Sequence, residues 1–213
     1  MNLAVRTLMI LALSAGSSLA AEQELGLTLG ALSGPDRNLT GSAASPARLR
    51  FSTGTALQAN YARRFATLPN ADLLFEVHFL ASPQQQVAAS VSSATSLSNA
   101  TRDIAALYVT PGLRVKFYPA RRMSPWAAVG GGYSLYEQST ATLGGTPNPA
   151  PRHSSGGALQ FGGGADFKVW KALSLRGEAR EFYTASPKFN VSVAGTGQFH
   201  LVVGGGIVWR FGR

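Results

Sequence analysis

The chain has 213 residues with a formal net charge of +9 and no cysteine, so neither a disulfide framework nor a thiolate metal site is available. Only 14% of residues are charged and 45% are hydrophobic, against about 25% charged in an average soluble domain, so part of the surface faces something other than water. Despite the positive charge, the bases are too dispersed for a nucleic-acid-binding element: Arg63-Arg64 and Arg121-Arg122 are the adjacent basic pairs, and no helix-turn-helix or zinc-finger spacing occurs.

Residues 1–20 read as a secretory signal peptide: Arg6, the apolar run Leu8-Met9-Ile10-Leu11-Ala12-Leu13, then small residues ending Ser18-Leu19-Ala20. Cleavage is expected between Ala20 and Ala21, leaving 21–213 as one domain. The apolar run is shorter than the ~20 residues of a spanning helix. Beyond it every apolar stretch is broken by Gly, Ser or a charge. An exported chain of that kind enters a membrane only as a closed β-barrel, the other architecture that satisfies all its backbone hydrogen bonds internally.

The mature sequence then alternates with a period of two. Leu25, Leu27, Leu29 and Ala31 oppose Glu24, Gly26, Thr28 and Gly30. From Leu49 to Phe65 the odd positions carry Leu49, Phe51, Leu57, Tyr61 and Phe65, and the even ones Arg50, Ser52, Gln58 and Asn60. Leu73, Phe75, Val77 and Phe79 oppose Glu76 and His78; Leu107, Val109, Leu113, Val115 and Phe117 oppose Thr110, Gly112, Arg114 and Lys116. Segments 126–137, 158–169, 173–182 and 199–211 complete a count of eight. In the seventh, Leu173, Leu175 and Ala179 face away from Arg176, Glu178 and Arg180. In the eighth, Leu201, Val203, Ile207, Trp209 and Phe211 face away from His200 and Arg210.

The expected connections, 33–47, 66–72, 81–103, 118–124, 138–157, 170–172 and 184–198, alternate long and short. Outer-membrane barrels pair short periplasmic turns with long outer loops, and an even strand number leaves both termini in the periplasm. Tyr61, Phe65, Phe75, Phe117, Phe167, Trp170, Trp209 and Phe211 gather near the short-turn side, as an interfacial aromatic girdle does. The predicted fold is therefore all-β, a closed antiparallel up-and-down transmembrane barrel of about eight strands.

Three stretches carry a resemblance: Pro125-Trp126-Ala127-Ala128-Val129-Gly130-Gly131-Gly132-Tyr133, Leu175-Arg176-Gly177-Glu178-Ala179-Arg180-Glu181-Phe182-Tyr183, and the terminal Val208-Trp209-Arg210-Phe211. With the leader, they make the chain similar to the small bacterial outer-membrane barrels of the OmpA/OmpX-like and opacity type. The resemblance implies outer-membrane lipids as surroundings. It also implies that Trp209 and Phe211 act as the terminal signal read by the barrel-assembly machinery, with Gly212-Arg213 added beyond the usual aromatic end.

Inside such a barrel the polar face collects Glu24, Glu76, Asp166 and Glu178 with Arg114, Lys116, Lys168, Arg176, Arg180 and Arg210. A charge on the lipid face costs up to about 2–4 kcal/mol at mid-bilayer, so these side chains are expected to point inward and pair. The Gly triplets 130–132, 162–164 and 204–206 lie within strands, which fits room for long lumenal side chains and not a phosphate loop. His153-Ser154-Ser155 resembles the His-x-Ser pair of outer-membrane lipid A deacylases, but the next acid in sequence is Asp166, on the inward face. No cofactor or metal is expected; His78 and His200 lack ligand spacing. The expected role is non-enzymatic, structural or surface contact through 33–47, 81–103, 138–157 and 184–198. The alternatives are a lipid-modifying enzyme using His153 and Ser155, or a narrow passive channel. N-terminal sequencing of protein from the outer-membrane fraction is expected to read Ala21 first; intact Met1 on soluble protein would contradict the leader.

Overall fold

In the computed structural model the described residues are 22–34, 37–38, 48–51, 53–90, 100–138, 142–143, 146–147, 151–185 and 197–212; the leader and the cleavage site lie outside them. Eight long strands form the barrel: β1 (Gln23–Ser33), β2 (Gly54–Leu68), β3 (Ala71–Ser90), β4 (Ala100–Phe117), β5 (Met123–Gln138), β6 (His153–Lys168), β7 (Leu173–Ala185) and β8 (Gly197–Phe211). Each pairs antiparallel with its sequence neighbours. The first then pairs with the last, from Gln23 opposite Phe211 to Ser33 opposite Leu201, which closes the sheet.

Burial is inverted relative to a water-soluble protein. Leu29, Val129 and Leu159 are about 60% exposed, and Leu27, Leu57, Phe79, Leu113, Leu175, Val203 and Ile207 join them in the outward apolar band. Arg114, Arg180, Glu76 and Asp166 are buried. In water an all-round exposed apolar band of this kind is an aggregation surface; in a bilayer it is the solvated face.

The short connections are tied to one another by backbone hydrogen bonds. Tyr118 N–H donates to Asn70 O at 2.8 Å, Lys168 N–H to Arg122 O at 2.8 Å, Arg210 N–H to Ala172 O at 2.8 Å and Arg64 N–H to Glu22 O at 3.0 Å. The rim at that end is thus cross-linked around the barrel, while the opposite end carries the long connections.

Two expectations about the long connections are corrected. Residues 81–103 are not all loop: β3 runs on to Ser90 and β4 begins at Ala100, and 91–99 lie outside the described residues. Beyond the membrane both faces of a strand meet water, so the apolar alternation that betrays a strand disappears while the backbone ladder continues. The expected strand from Leu49 to Phe65 is also divided. The piece Arg48–Phe51 pairs with the distal end of β3, Phe51 opposite Val87 and Arg48 opposite Ser90, and in turn carries Arg37–Asn38 from the first connection. The β3–β4 register slips between Ser82 and Gln85, around Pro83, which has no N–H to give the ladder. Within 138–157, Thr142–Leu143 pairs with Thr146–Pro147, and β6 starts at His153.

A closed ladder has no edge to fray. The folded protein is expected to survive SDS without heating and to migrate apart from a boiled sample, with β-type circular dichroism; identical migration with a helical spectrum would contradict the barrel.

Candidate functional site

The lumen is the one place where the polar face of every strand converges, and it is filled in two layers. In the half nearer the short turns, charges from strands far apart in sequence meet. Glu24 of β1 accepts from Arg114 Nη1 at 2.9 Å and from Lys116 Nζ of β4, with Arg176 and Arg210 at 3.6 Å. Asp166 of β6 takes a two-pronged contact from Arg176 of β7, at 2.7 and 3.0 Å, and Lys116 Nζ at 2.7 Å. Glu76 of β3 is bound by Arg180 Nη1 at 2.7 Å and by Arg114 Nη2. Arg210 also donates to Ser174 Oγ at 2.8 Å. Paired planar forks of this sort are the strongest charged hydrogen bonds available, and out of water they also fix strand register.

Glu178, two positions from both Arg176 and Arg180 and expected to bridge to bases on neighbouring strands, binds Arg180 Nε of its own strand at 3.0 Å. The centres of the network are instead Glu24 and Asp166, on strands that no sequence spacing connects. Lys168 stands apart, half-exposed at the rim, and none of the ion pairs among the described residues includes it. The remaining nine charges are buried together: five cations, Arg114, Lys116, Arg176, Arg180 and Arg210, around four carboxylates, Glu24, Glu76, Asp166 and Glu178. Trp126 of β5 sits among them. Its ring centroid lies 5.0, 4.9 and 4.8 Å from the guanidinium carbons of Arg114, Arg176 and Arg180. The electron-rich ring face offsets part of the crowding of three like charges.

The glycines make this packing possible. A Cβ on Gly162 would lie 2.8 Å from Arg180 Cγ and 2.6 Å from Ala179 O. One on Gly164 would lie 2.2 Å from Gly177 O and 2.9 Å from Trp126 Cζ2. The bare stretch of β6 therefore gives Arg180 and Trp126 their space.

The second layer, toward the long connections, was not anticipated. Leu32, Ala56, Leu80, Ile104, Ala106, Tyr108, Tyr136, Phe182 and Val202 form a buried apolar cluster inside the barrel. Tyr108 stacks near Phe182, centroids 5.2 Å apart, and its hydroxyl meets that of Tyr136 at 3.0 Å; His78 and His200 border the same rings. Its signal in the sequence was the adjacent apolar pairs Phe79-Leu80, Leu107-Tyr108 and Val202-Val203, where alternation fails because both faces are apolar, one toward lipid and one toward the plug.

His153 and Ser155 are exposed near the start of β6. The antiparallel register puts Glu137 of β5 directly opposite His153, a carboxylate that a linear search beyond Ser155 misses. That carboxylate accepts from Arg152 Nε at 3.0 Å, and among the described side chains no hydrogen bond joins it to His153 or Ser155. Trp209 and Phe211 lie at the end of β8 with ring centroids 5.3 Å apart.

Removing one partner of a buried pair costs about 3–5 kcal/mol, and Glu24 serves four cations where Glu178 serves one. Glu24→Gln is therefore expected to lower stability in urea titration from bilayers by about that amount, and Glu178→Gln by clearly less. Equal losses would show that the network has no centre. Gly164→Val should fail to assemble, since its new Cβ meets backbone.

No family model matches the chain, and no curated protein does. Solved structures do. The outer membrane protein OprG from Pseudomonas aeruginosa is 12% identical, with a TM-score of 0.56 over 92% of this chain and 100% of its own. Neisserial surface protein A is 12% identical, with a TM-score of 0.53 over 89% and 97%. The outer membrane protease OmpT from Escherichia coli is 10% identical, with a TM-score of 0.50 over 92% and 99%. A surface protein and a protease share the architecture, so the likeness speaks for the fold and not for activity. With its outward apolar band and closed ladder, this chain has the fold of the small bacterial outer-membrane β-barrels and resides in the outer membrane.

Proposed function

We propose that the protein is a non-enzymatic membrane anchor that presents a β-structured platform outside the cell for contact with a surface or envelope partner. The observation that carries this reading is the extension of the sheet past the bilayer. A barrel strand crosses a membrane in about 9–11 residues, yet β3 has 20 and β4 has 18. The distal end of β3 pairs with β4 on one side and with Arg48–Phe51 on the other, and through that piece with Arg37–Asn38, so the first two long connections build one continuous sheet above the rim. Below it, the ion-paired layer and the aromatic plug occupy the lumen, which argues against the channel alternative. An eight-stranded interior is just wide enough for side chains to fill.

The lipid-modifying alternative rests on His153 and Ser155, and it needs a carboxylate on the imidazole; Glu137 stands opposite His153, but among the described side chains its hydrogen bond goes to Arg152 and none joins His153 to Glu137 or Ser155. Three measurements decide. Planar bilayers should show no steady conductance, and phospholipid and lipid A incubated with the protein should keep their acyl chains. Replacing 34–53 and 84–102 with short turns should leave heat-modifiable folding intact while abolishing adhesion of expressing cells to surfaces. Released fatty acid that disappears in Ser155→Ala would replace this reading with the enzymatic one, and adhesion unchanged by the replacement would remove the platform.

A further inference from the structure

The lumen nearly balances its charges, and at the short-turn rim Arg64 is neutralised by Glu22 at 2.9 Å and Asp72 at 3.4 Å. Farther round the same rim the balance fails. The connection at residues 118–122 and the one reached through Lys168 carry Arg121, Arg122, Lys168 and Lys171; among the described residues no ion pair includes any of the four, and Lys171, the one nearest the chain ends, lines a recess with Glu22 and Arg210. The nearest acid in sequence, Asp166, is fully buried in the lumen and held by Arg176 and Lys116.

These cations are placed with some care. The two connections are locked to each other by the bond from Lys168 N–H to Arg122 O. Tyr118 adopts a left-handed φ of 48°, unusual for a residue with a Cβ, and its carbonyl accepts from Arg121 N–H at 2.9 Å and Ser124 Oγ at 3.1 Å. That kink sets the Tyr118 ring under the Arg121 guanidinium, 4.7 Å away, while Arg122 lies 4.7 Å over Phe167. A guanidinium stacked by its face keeps its N–H edge free to donate to an oxyanion. Around it stand outward apolar side chains: Phe117, Met123, Val169 and Trp170, the last 73% exposed. Aromatic side chains at the end of a spanning element mark headgroup depth.

We propose that this face of the rim is a binding site for anionic phospholipid of the periplasmic leaflet, Arg121, Arg122, Lys168 and Lys171 taking the phosphates and Met123, Val169 and Trp170 the first part of the acyl chains. The apolar flank favours a lipid over a soluble anionic polymer, which would leave those side chains uncovered. The short-turn end is the periplasmic one in barrels of this kind.

The mature protein in mixed vesicles, probed by spin-labelled phosphatidylglycerol and phosphatidylcholine, tests the site. Phosphatidylglycerol is expected to associate about fivefold or more strongly at low salt, since each base near the surface contributes on its own. The preference should vanish near 1 M salt, where charges are screened within about 3 Å. It should be lost in R121Q/R122Q/K168Q/K171Q and kept in R63Q/R64Q elsewhere on the rim. An equal association of the two lipids in wild type, a preference that survives high salt or the fourfold variant, or one abolished by R63Q/R64Q overturns the assignment. So does binding of soluble peptidoglycan fragments to the four bases without any lipid selectivity. The salt series and R63Q/R64Q keep the assignment falsifiable even if the fourfold variant does not fold: a preference that survives high salt or that R63Q/R64Q abolishes overturns it.

Discussion

Everything else in this structure depends on the seam where β1 meets β8. A strand in hydrocarbon cannot leave its N–H and C=O groups unpaired, at several kcal/mol each, so the first strand has to bond the last. Once Gln23 stands opposite Phe211, every strand has two partners, and the only freedom left to each residue is which side of the wall it occupies. The period of two along each strand makes that choice, and a slip of one residue would exchange the faces.

Closure converts charge into an internal problem. The bases and acids on the inward positions have no water-filled interior to dissolve in, because eight strands enclose too little space. Their solution is mutual: carboxylates of β1, β3 and β6 between bases of β4, β7 and β8, with Trp126 filling the centre and the glycines of β6 giving way. Because several ion pairs join strands distant in sequence, such as Arg114 with Glu24, Lys116 with Asp166 and Arg180 with Glu76, the network opposes any change of register and not merely local fraying. The apolar plug does the same for the other half of the barrel by exclusion of water.

The two ends are built on different rules. At the short-turn rim, backbone bonds such as Lys168 to Arg122 fix the connections tightly, so the bases there are displayed at fixed places against lipid. At the other end the ladder outruns the bilayer and binds the first two long connections into a sheet in water. Rigid contact with the membrane on one side and an accessible surface on the other suit an anchor better than a conduit.

The sequence by itself determined the architecture, the strand faces and the inward set of charges, because alternation is a local property and the bilayer enforces it residue by residue. The ordering of short and long connections was equally legible, since turn residues such as Pro69 and Asn70 interrupt the pattern. What only the tertiary structure decided is who meets whom. Glu24 rather than Glu178 lies at the centre, Lys168 falls outside, Glu137 stands opposite His153, and Leu32, Tyr108 and Phe182 close the outer lumen. Those outcomes follow from stagger and barrel curvature, which place residues from remote strands at the same height. They also follow from pairing beyond the membrane, where β3 and β4 continue with no hydrophobic period to announce them.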